Sequence, residues 1–547
     1  MRLACLFNLV SAQGSLLKVM LHMDYGTMSH IKPLLEVGNV LRKRNHTVVY
    51  AVAEQYVKFN KGYNFPVVSL GKSFDDMEHL EAQMTMYQAS HQEPDAGRLL
   101  ESLGRVFVES YKVIYPQLSK AVDQERPDVM ICDFFSPACR DVALMKGIPL
   151  ITGLQSIDGF GISPTPFITN SLVYGSITTD NLSFTQRFID AIFVKGKMIY
   201  KFLPSTNEMN RVRKKFNVPS SSLPLGDFST TLGIANTFVG FEPATNIPPN
   251  LRLIGPIRSN SFPSLTADLQ LFLDTHPRTL YIGFGSLSIL STQEVTKILT
   301  AALLALGEGS IDGIIWGLGK TSLRAFPPAL HLNHSELSRE EILASSHIRI
   351  LPWAPQTAIL NHVNTRVFIS HVGLESSYDA IFSATPVLCM PIFGDQPRNA
   401  RKLVDAGIGR YIDRIHATPA SIAGQINHII LDPQGTIAAN LRRMRILAQS
   451  GSRRITLGAD TIEEYAYTAR ICRPTQPHHP SEIPCEAKHL IPKSRGMTFI
   501  QANLIDIYLA ALLLSATSLA LAVYVARISF IHLLNRSHLA HPKIKPQ

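Results

Sequence analysis

The chain has 547 residues, with 52 basic against 42 acidic side chains for a net charge of +10, and it is 46% hydrophobic and 17% charged. That length is too great for one hydrophobic core and suits two large domains with appendages, while the composition excludes a disordered chain. The positive charge comes without an arginine-rich run, a zinc-finger spacing or an RNP-like aromatic strand, which argues against nucleic acid and for a small anionic ligand and a membrane-adjacent tail.

At the N-terminus, Arg2, the run ACLFNLV and then SAQG form a short, imperfect secretory signal with cleavage expected near Gly14. The alternative is that residues 1–17 are simply a poorly defined start. From there strands and helices alternate, the pattern of a parallel sheet with crossovers. KVMLHM (18–23) reads as a strand, Ser29 is expected to cap the amphipathic helix HIKPLLEVGNVLRKR, and TVVYAVA (47–53) is the next strand. DVMICDFF (128–135), the helix PACRDVALMKG and IPLITGL (148–154) continue the alternation. His30 follows the first strand and Asp133 ends a later one, so both are expected at the carboxyl edge of one sheet, where such folds bind ligands. Taken alone, a histidine at a helix start reads as a solvated or cap-adjacent residue, and Asp133 as a turn residue. Residues 155–225 loosen into aromatic and Ser/Thr-rich loops with helical pieces such as FIDAIFVKGKMIYKFL, which suits a variable apolar pocket.

A Pro/Asn/Ser-dense stretch, 246–266, marks the boundary between halves. Beyond it come the strand TLYIGFGS (279–286), a helix beginning near Gln293, and the strand GIIWGLG (313–319). The stretch from Trp353 to Ala400 is the densest in signals. RVFIS (366–370) is a buried-strand run that turns at His371-Val372-Gly373 into the helix LESSYDAIFSA. Gly373 permits close backbone approach, and the free N–H groups of the new helix face an anion such as pyrophosphate. PVLCMPI (386–392) is a second strand, ending at Asp395 and Gln396, whose carboxylate and amide suit sugar hydroxyls. Upstream, Trp353 reads either as a plate for a base or as core filler, with Gln356 beside it.

These motifs resemble the donor-binding signature of the UDP-glycosyltransferases, roughly W-x-P-Q … H-G-G-x-x-S-x-x-E … P … D-Q-x-x-N. The matching positions are Trp353, Pro355, Gln356, His371, Gly373, Ser376, Pro391, Asp395, Gln396 and Asn399. The resemblance runs from about Lys18 to the C-terminal tail and is sharper in the second half. It implies an α/β fold of the GT-B type, two Rossmann-like doubly wound domains with a cleft between them. The expected layout is an acceptor domain at 18–255, a linker at 256–275, a UDP-sugar domain at 276–472 and a stem at 473–506. The last helix of the second domain, ITLGADTIEEYAYTARIC, is expected to cross back over both domains. It also implies an inverting, metal-independent hexosyltransferase with a UDP-sugar co-substrate, no separate cofactor and a small lipophilic acceptor.

Carried onto this chain, the catalytic base is His30 with Asp133 behind it, a pairing that fixes the tautomer and favours the imidazolium. Trp353 would stack on uracil and Gln356 would contact the uridine. Ser286, His371, Gly373 and Ser376 would meet the diphosphate, Asp379 the ribose, and Asp395 and Gln396 the sugar. The chain departs from the pattern at Val372 for Gly, Glu375 for Asn and Asp379 for Glu. Val372 puts a β-branched residue where backbone normally approaches the ligand. Glu375 suits the helix dipole but sits near an anionic phosphate, with repulsion on the order of 1 kcal/mol unless its side chain turns away. These departures keep open a second reading, a membrane-tethered protein of this fold that binds a lipophilic ligand or partner without turnover.

Near the C-terminus, IYLAALLLSATSLALAVYVA (507–526) supplies roughly the twenty uncharged residues that span a bilayer. Asp506 precedes it, and Arg527, Arg536, Lys543 and Lys545 follow, so the positive-inside bias puts the basic tail, 527–547, in the cytosol and the rest in the lumen. Lys543 and Lys545 fit a K-x-K-x-x retrieval pattern, pointing to the endoplasmic reticulum. The six cysteines show no metal-type spacing and read mostly as buried fillers, although Cys472 and Cys485 could pair if lumenal. Asn45, Asn181 and Asn333 head glycosylation sequons. Homo-oligomerisation through the span or the second domain stays open.

Overall fold

Short apolar runs rich in Val, Ile and Leu become buried parallel strands, as they do where helices cover both faces of a sheet. The computed structural model describes residues 16–73, 96–157, 167–170, 176–226, 228–258, 262–285, 288–332, 335–472 and 484–539. The expected signal segment up to residue 15, with Cys5, and the Asn333 sequon and the terminal lysine motif lie outside the described residues. The chain divides into two units, Met1–Leu490 and Ile491–Gln547.

The first unit holds two parallel sheets. One contains β1 (Lys18–His22), β2 (Thr47–Val52), β3 (Val67–Ser69), β4 (Val129–Asp133), β5 (Leu150–Leu154), β6 (Leu232–Ala235) and β7 (Leu251–Leu253), in the order β3-β2-β1-β4-β5-β6-β7. The other contains β8 (Thr279–Gly283), β9 (Gly313–Gly317), β12 (Ile348–Leu351), β13 (Thr365–Ser370), β14 (Val387–Cys389) and β15 (Gly409–Tyr411), in the order β12-β9-β8-β13-β14-β15. Strands β10 (Ala329–Leu332) and β11 (Ser335–Ser338) form a separate antiparallel pair. In each sheet the strand order reverses beside its first strand, between β1 and β4 and between β8 and β13. Such reversal points open a crevice at the strand carboxyl ends.

Helix α1 (Met28–Lys43) follows β1 and buries Ile31, Leu34, Leu35, Val37 and Leu41. Its N-cap is Thr27 and not the expected Ser29, which lies one residue inside the helix. The Thr27 hydroxyl instead meets the Ser29 hydroxyl at 2.7 Å, so neither caps a backbone N–H. Helix α2 (Pro137–Lys146) follows β4, and Asp24 accepts the Ala138 N–H at its start. Helix α3 (Ala267–Thr275) occupies part of the expected linker and sends Leu269, Phe272 and Leu273 into the core of the second sheet. Helix α4 (Thr292–Gly307) begins with a reciprocal Ser291–Glu294 capping box, one residue from the expected start.

Around the second reversal point lie α5 (Gln356–Asn361), α6 (Leu374–Ser383) and α7 (Gln396–Asp405). Helix α8 (Ile455–Cys472) returns to the first sheet's side. Its Arg470 holds Asp128 at 2.8 Å, and its Glu463 holds both Arg44 (2.6 Å) and His46 (2.7 Å). Cys472 bonds Cys485, and Cys389 is free and buried. Reading the remaining cysteines as fillers needs correction: Cys132 on β4 and Cys139 on α2 form a disulfide. The two elements meet at the strand-to-helix turn, which brings the two sulfurs together.

The second unit contains helix α9 (Ile505–Leu539), of which Ile505–Leu534 is long and apolar enough to cross a membrane.

Candidate active site

His30 is the third residue of α1, and Asp133 is the last of β4, so the first reversal point sets them side by side. His30 Nδ1 stands 3.3 and 3.2 Å from the two Asp133 carboxylate oxygens. Asp133 is fully buried and also accepts the Phe135 N–H at 3.0 Å, which fixes its rotamer. Phe134 and Phe135 stack on the imidazole with centroids at 5.5 and 5.1 Å. Burial pulls the His30 pKa down, but the charge and hydrogen bond of Asp133 outweigh it, and Asp395 adds to them, so the ring is held above its ordinary value. The influence of Asp395 matters because it belongs to the second half.

The second reversal point builds a turn around His371. Burial lowers the pKa of this imidazole to about 4, against a smaller upward pull from the Gly283 backbone, and its Nδ1 has no hydrogen-bond partner. Gly285, at φ +71°, and Gly373 both lie against the ring: a Cβ on either would come within 2.8 Å of Nε2. Side chains there would displace the ring. Val372 takes φ +56°, a left-handed conformation that costs a β-branched residue about 1–2 kcal/mol. Its side chain does not approach the cleft as expected. It is fully buried in the core with Phe368 and Tyr378, while its backbone carbonyl accepts from Ser377 and Asn399. The turn leads directly into α6, whose first N–H groups have no acceptor within the helix.

Along α6, Gln356 donates to Ser376 Oγ at 3.2 Å and to Asp379 at 3.0 Å, and Thr357 donates to both Asp379 oxygens at 3.1 Å. The shorter acid at 379 is thus held by its neighbours on α5. Trp353 is 65% exposed, a free plate and not core filler. Asp395 precedes α7 and accepts from Asn399 at 2.6 Å, and burial raises its pKa, partly offset by Asn399 and His30. Gln396 turns its amide oxygen to the Ile392 and Phe393 N–H groups, at 2.9 and 3.0 Å, so that oxygen braces the loop. Ser286 lies outside the described residues.

Several contacts join the two sheets' sides. Lys32, one half-turn beyond His30, reaches Glu375 at the start of α6 (2.8 Å). Lys402 pairs with Glu242 at 2.6 Å, both nearly fully buried. Tyr378 donates to the Asn236 carbonyl at 2.6 Å, and Arg398 to that of Thr169 at 2.7 Å. Arg258 lies between Phe262 and Phe382, 5.5 and 5.1 Å from their ring centroids, with its Nε and Nη2 unpartnered and its pKa lowered by burial despite nearby Asp379 and Glu375. Gln155 donates weakly to the His30 carbonyl at 3.4 Å. Sequence reasoning missed Lys32, Arg258 and Gln155, since each is defined by partners far away in the chain. Among the described residues no group of three or more His, Cys, Asp or Glu is placed to hold a metal ion.

Comparison with known proteins gives the fold and the family. A "UDP-glycosyltransferase stmC" of Aspergillus ustus is 25% identical over 536 residues, spanning 94% of this chain and 98% of that one. Among solved structures, the glycotransferase of kitacinnamycin superposes with a TM-score of 0.58 at 19% identity, covering 82% of this chain and 99% of its own. A UDP-glucosyltransferase from Polygonum tinctorium superposes with a TM-score of 0.55 at 18% identity, covering 82% and 98%. These likenesses give the fold, the two-sheet GT-B architecture. Residues 18–443 match the family described as UDP-glucoronosyl and UDP-glucosyl transferase, and the chain belongs to that family.

Proposed function

We propose that this UDP-glycosyltransferase moves a hexosyl group, with inversion, onto a hydroxyl of a small lipophilic acceptor, using His30 as general base and Asp133 as its support. The observation that carries this reading is one of proximity: α1, which bears His30, touches the first turn of α6 through Lys32 and Glu375 at 2.8 Å. Base and donor cradle therefore share a cleft. Asp133 at Nδ1 favours a proton there and leaves Nε2 as the basic nitrogen. A hydroxyl is a poor nucleophile near neutral pH, so proton transfer to Nε2 must accompany its attack. The acceptor oxygen bonds to the anomeric carbon on the face opposite UDP. The bond to the UDP oxygen breaks, its electron pair leaves with UDP, and an α-linked donor yields a β-glycoside.

The leaving diphosphate gains charge as it departs. The first N–H groups of α6, Ser376 and the neutral His371 are the donors available to it. Trp353 offers its exposed face to uracil, Gln356 and Asp379 the uridine contacts, and Asp395 with Gln396 the sugar contacts. The rings of Phe134, Phe135 and Phe107 run together beside His30, and Tyr25 meets Phe107 edge-on, an aromatic wall that suits a lipophilic acceptor. Helix α9, with basic residues following its uncharged run, supports a single span in the endoplasmic reticulum membrane with the two sheets lumenal.

Purified protein offered a panel of UDP-sugars with one permissive phenol, read by mass spectrometry, tests the reading. Glycoside formation that His30→Ala abolishes supports it. Retention on UDP-agarose without turnover by any donor favours the ligand-binding alternative.

A further inference from the structure

Glu375 places a carboxylate in the first turn of α6, beside the N–H groups that the proposed function gives to the diphosphate. Left alone, a carboxylate there repels the donor. It is not alone: Oε2 is held by Lys32 Nζ at 2.8 Å, and both side chains are partly buried, 31% and 18% exposed. Burial lowers the Lys32 pKa, but Glu375 outweighs it, with Asp379 and Glu36 contributing, so the ammonium stays charged. Burial raises the Glu375 carboxyl, and Lys32 opposes that rise. Glu375 Oε1 has no partner, so the carboxylate is only half satisfied within the protein.

We propose that Lys32 is a donor-site residue supplied across the cleft: its ammonium cancels the charge of Glu375 at the diphosphate subsite, and diphosphate affinity depends on that cancellation. The inference rests on the proposed function for the position of the diphosphate. It adds a dependence that neither half shows alone, because Lys32 and Glu375 stand 343 residues apart and meet only when the two halves face each other. Lys32 is then needed because residue 375 is acidic. In a chain with a neutral amide at 375, Lys32 becomes dispensable.

The experiment is a double-mutant cycle on the full chain in detergent, with UDP as the probe in titration calorimetry and the donor KM and kcat read in parallel. Removing the ammonium leaves a partly solvated carboxylate near the diphosphate, for which Coulomb interaction at intermediate dielectric gives a loss of about tenfold. Lys32→Met is expected to weaken UDP about tenfold and raise the donor KM with little change in kcat. Glu375→Gln alone leaves the ammonium uncompensated beside the diphosphate and is expected to tighten UDP, by up to about tenfold. The double variant is expected to return to within about threefold of the parent, a rescue that a purely structural role for Lys32 would not produce. Unchanged UDP affinity in Lys32→Met, or a double variant as weak as Lys32→Met, overturns the inference while leaving the proposed function intact. Parent protein that binds no UDP overturns both.

Discussion

Replacing His371 by glutamine should make the protein less sensitive to acid. The buried imidazole has a pKa of about 4 in the folded chain, against an ordinary value of 6.5. Between those values the unfolded chain takes up a proton and the native chain does not, so native stability falls as pH drops below about 6.5 and stops falling, on this account, below about 4. At pH 4.5 the linkage integral for one such group is about 2.5 kcal/mol. In a half-chain of this size that corresponds to roughly 5–10 °C in Tm. Glutamine is polar, of similar reach, and has nothing to titrate. Melting both proteins at a series of pH values from 7 to 4.5 isolates the residue, because every other group appears in both curves. The parent should lose roughly 5–10 °C more than the variant over that range. Parallel curves would refute the argument and mean that His371 is solvated enough to carry a proton.

Three other outcomes follow from the same geometry. As the proposed base, His30 would act only when neutral, and its raised pKa puts the acid limb of kcat/KM above pH 6.5; Asp133→Asn removes the largest of the influences that raise it, leaving that of Asp395, so the limb should move to lower pH while kcat falls about 10²–10⁴-fold, measured by pH–rate profiles. Lys402→Met strands the buried Glu242 carboxylate and should destabilise the fold by about 3–5 kcal/mol in chemical denaturation, whereas adding Glu242→Leu should recover part of that loss. Gln356→Ala removes the hydrogen bonds to Ser376 and Asp379 and should raise the donor KM about 5–10-fold with kcat nearly unchanged, read in steady-state kinetics.

The long buried strands were legible because they are continuous apolar runs: β1, β2, β4, β5, β9 and β13 fall within two residues of where the sequence places them, and β8 within three. The edge strands β3, β7 and β15, of three residues each, were not, since so short a run carries no periodicity of its own. The cap of α1 went to Thr27 because both hydroxyls precede the same apolar stripe and the sequence does not choose between them. Cys132 and Cys139 were misread for a different reason: seven residues of spacing say nothing until a strand turns into a helix between them. At the candidate site, the placement of His30, Asp133, His371 and Asp395 at strand ends could be read, because strand-to-helix turns announce themselves in Gly and polar residues. The inward turn of Val372 and the pairing of Lys32 with Glu375 could not, since both depend on how the chain folds back upon itself.

The central claim is that imidazole and nucleotide cradle face one another across a single cleft. A crystal structure of the protein with UDP tests it most directly. The account predicts uracil against Trp353, phosphate oxygens at the N–H groups of residues 373–376, and the His30 ring open toward the terminal phosphate. UDP bound away from α6, or with His30 turned to a different surface, would contradict it.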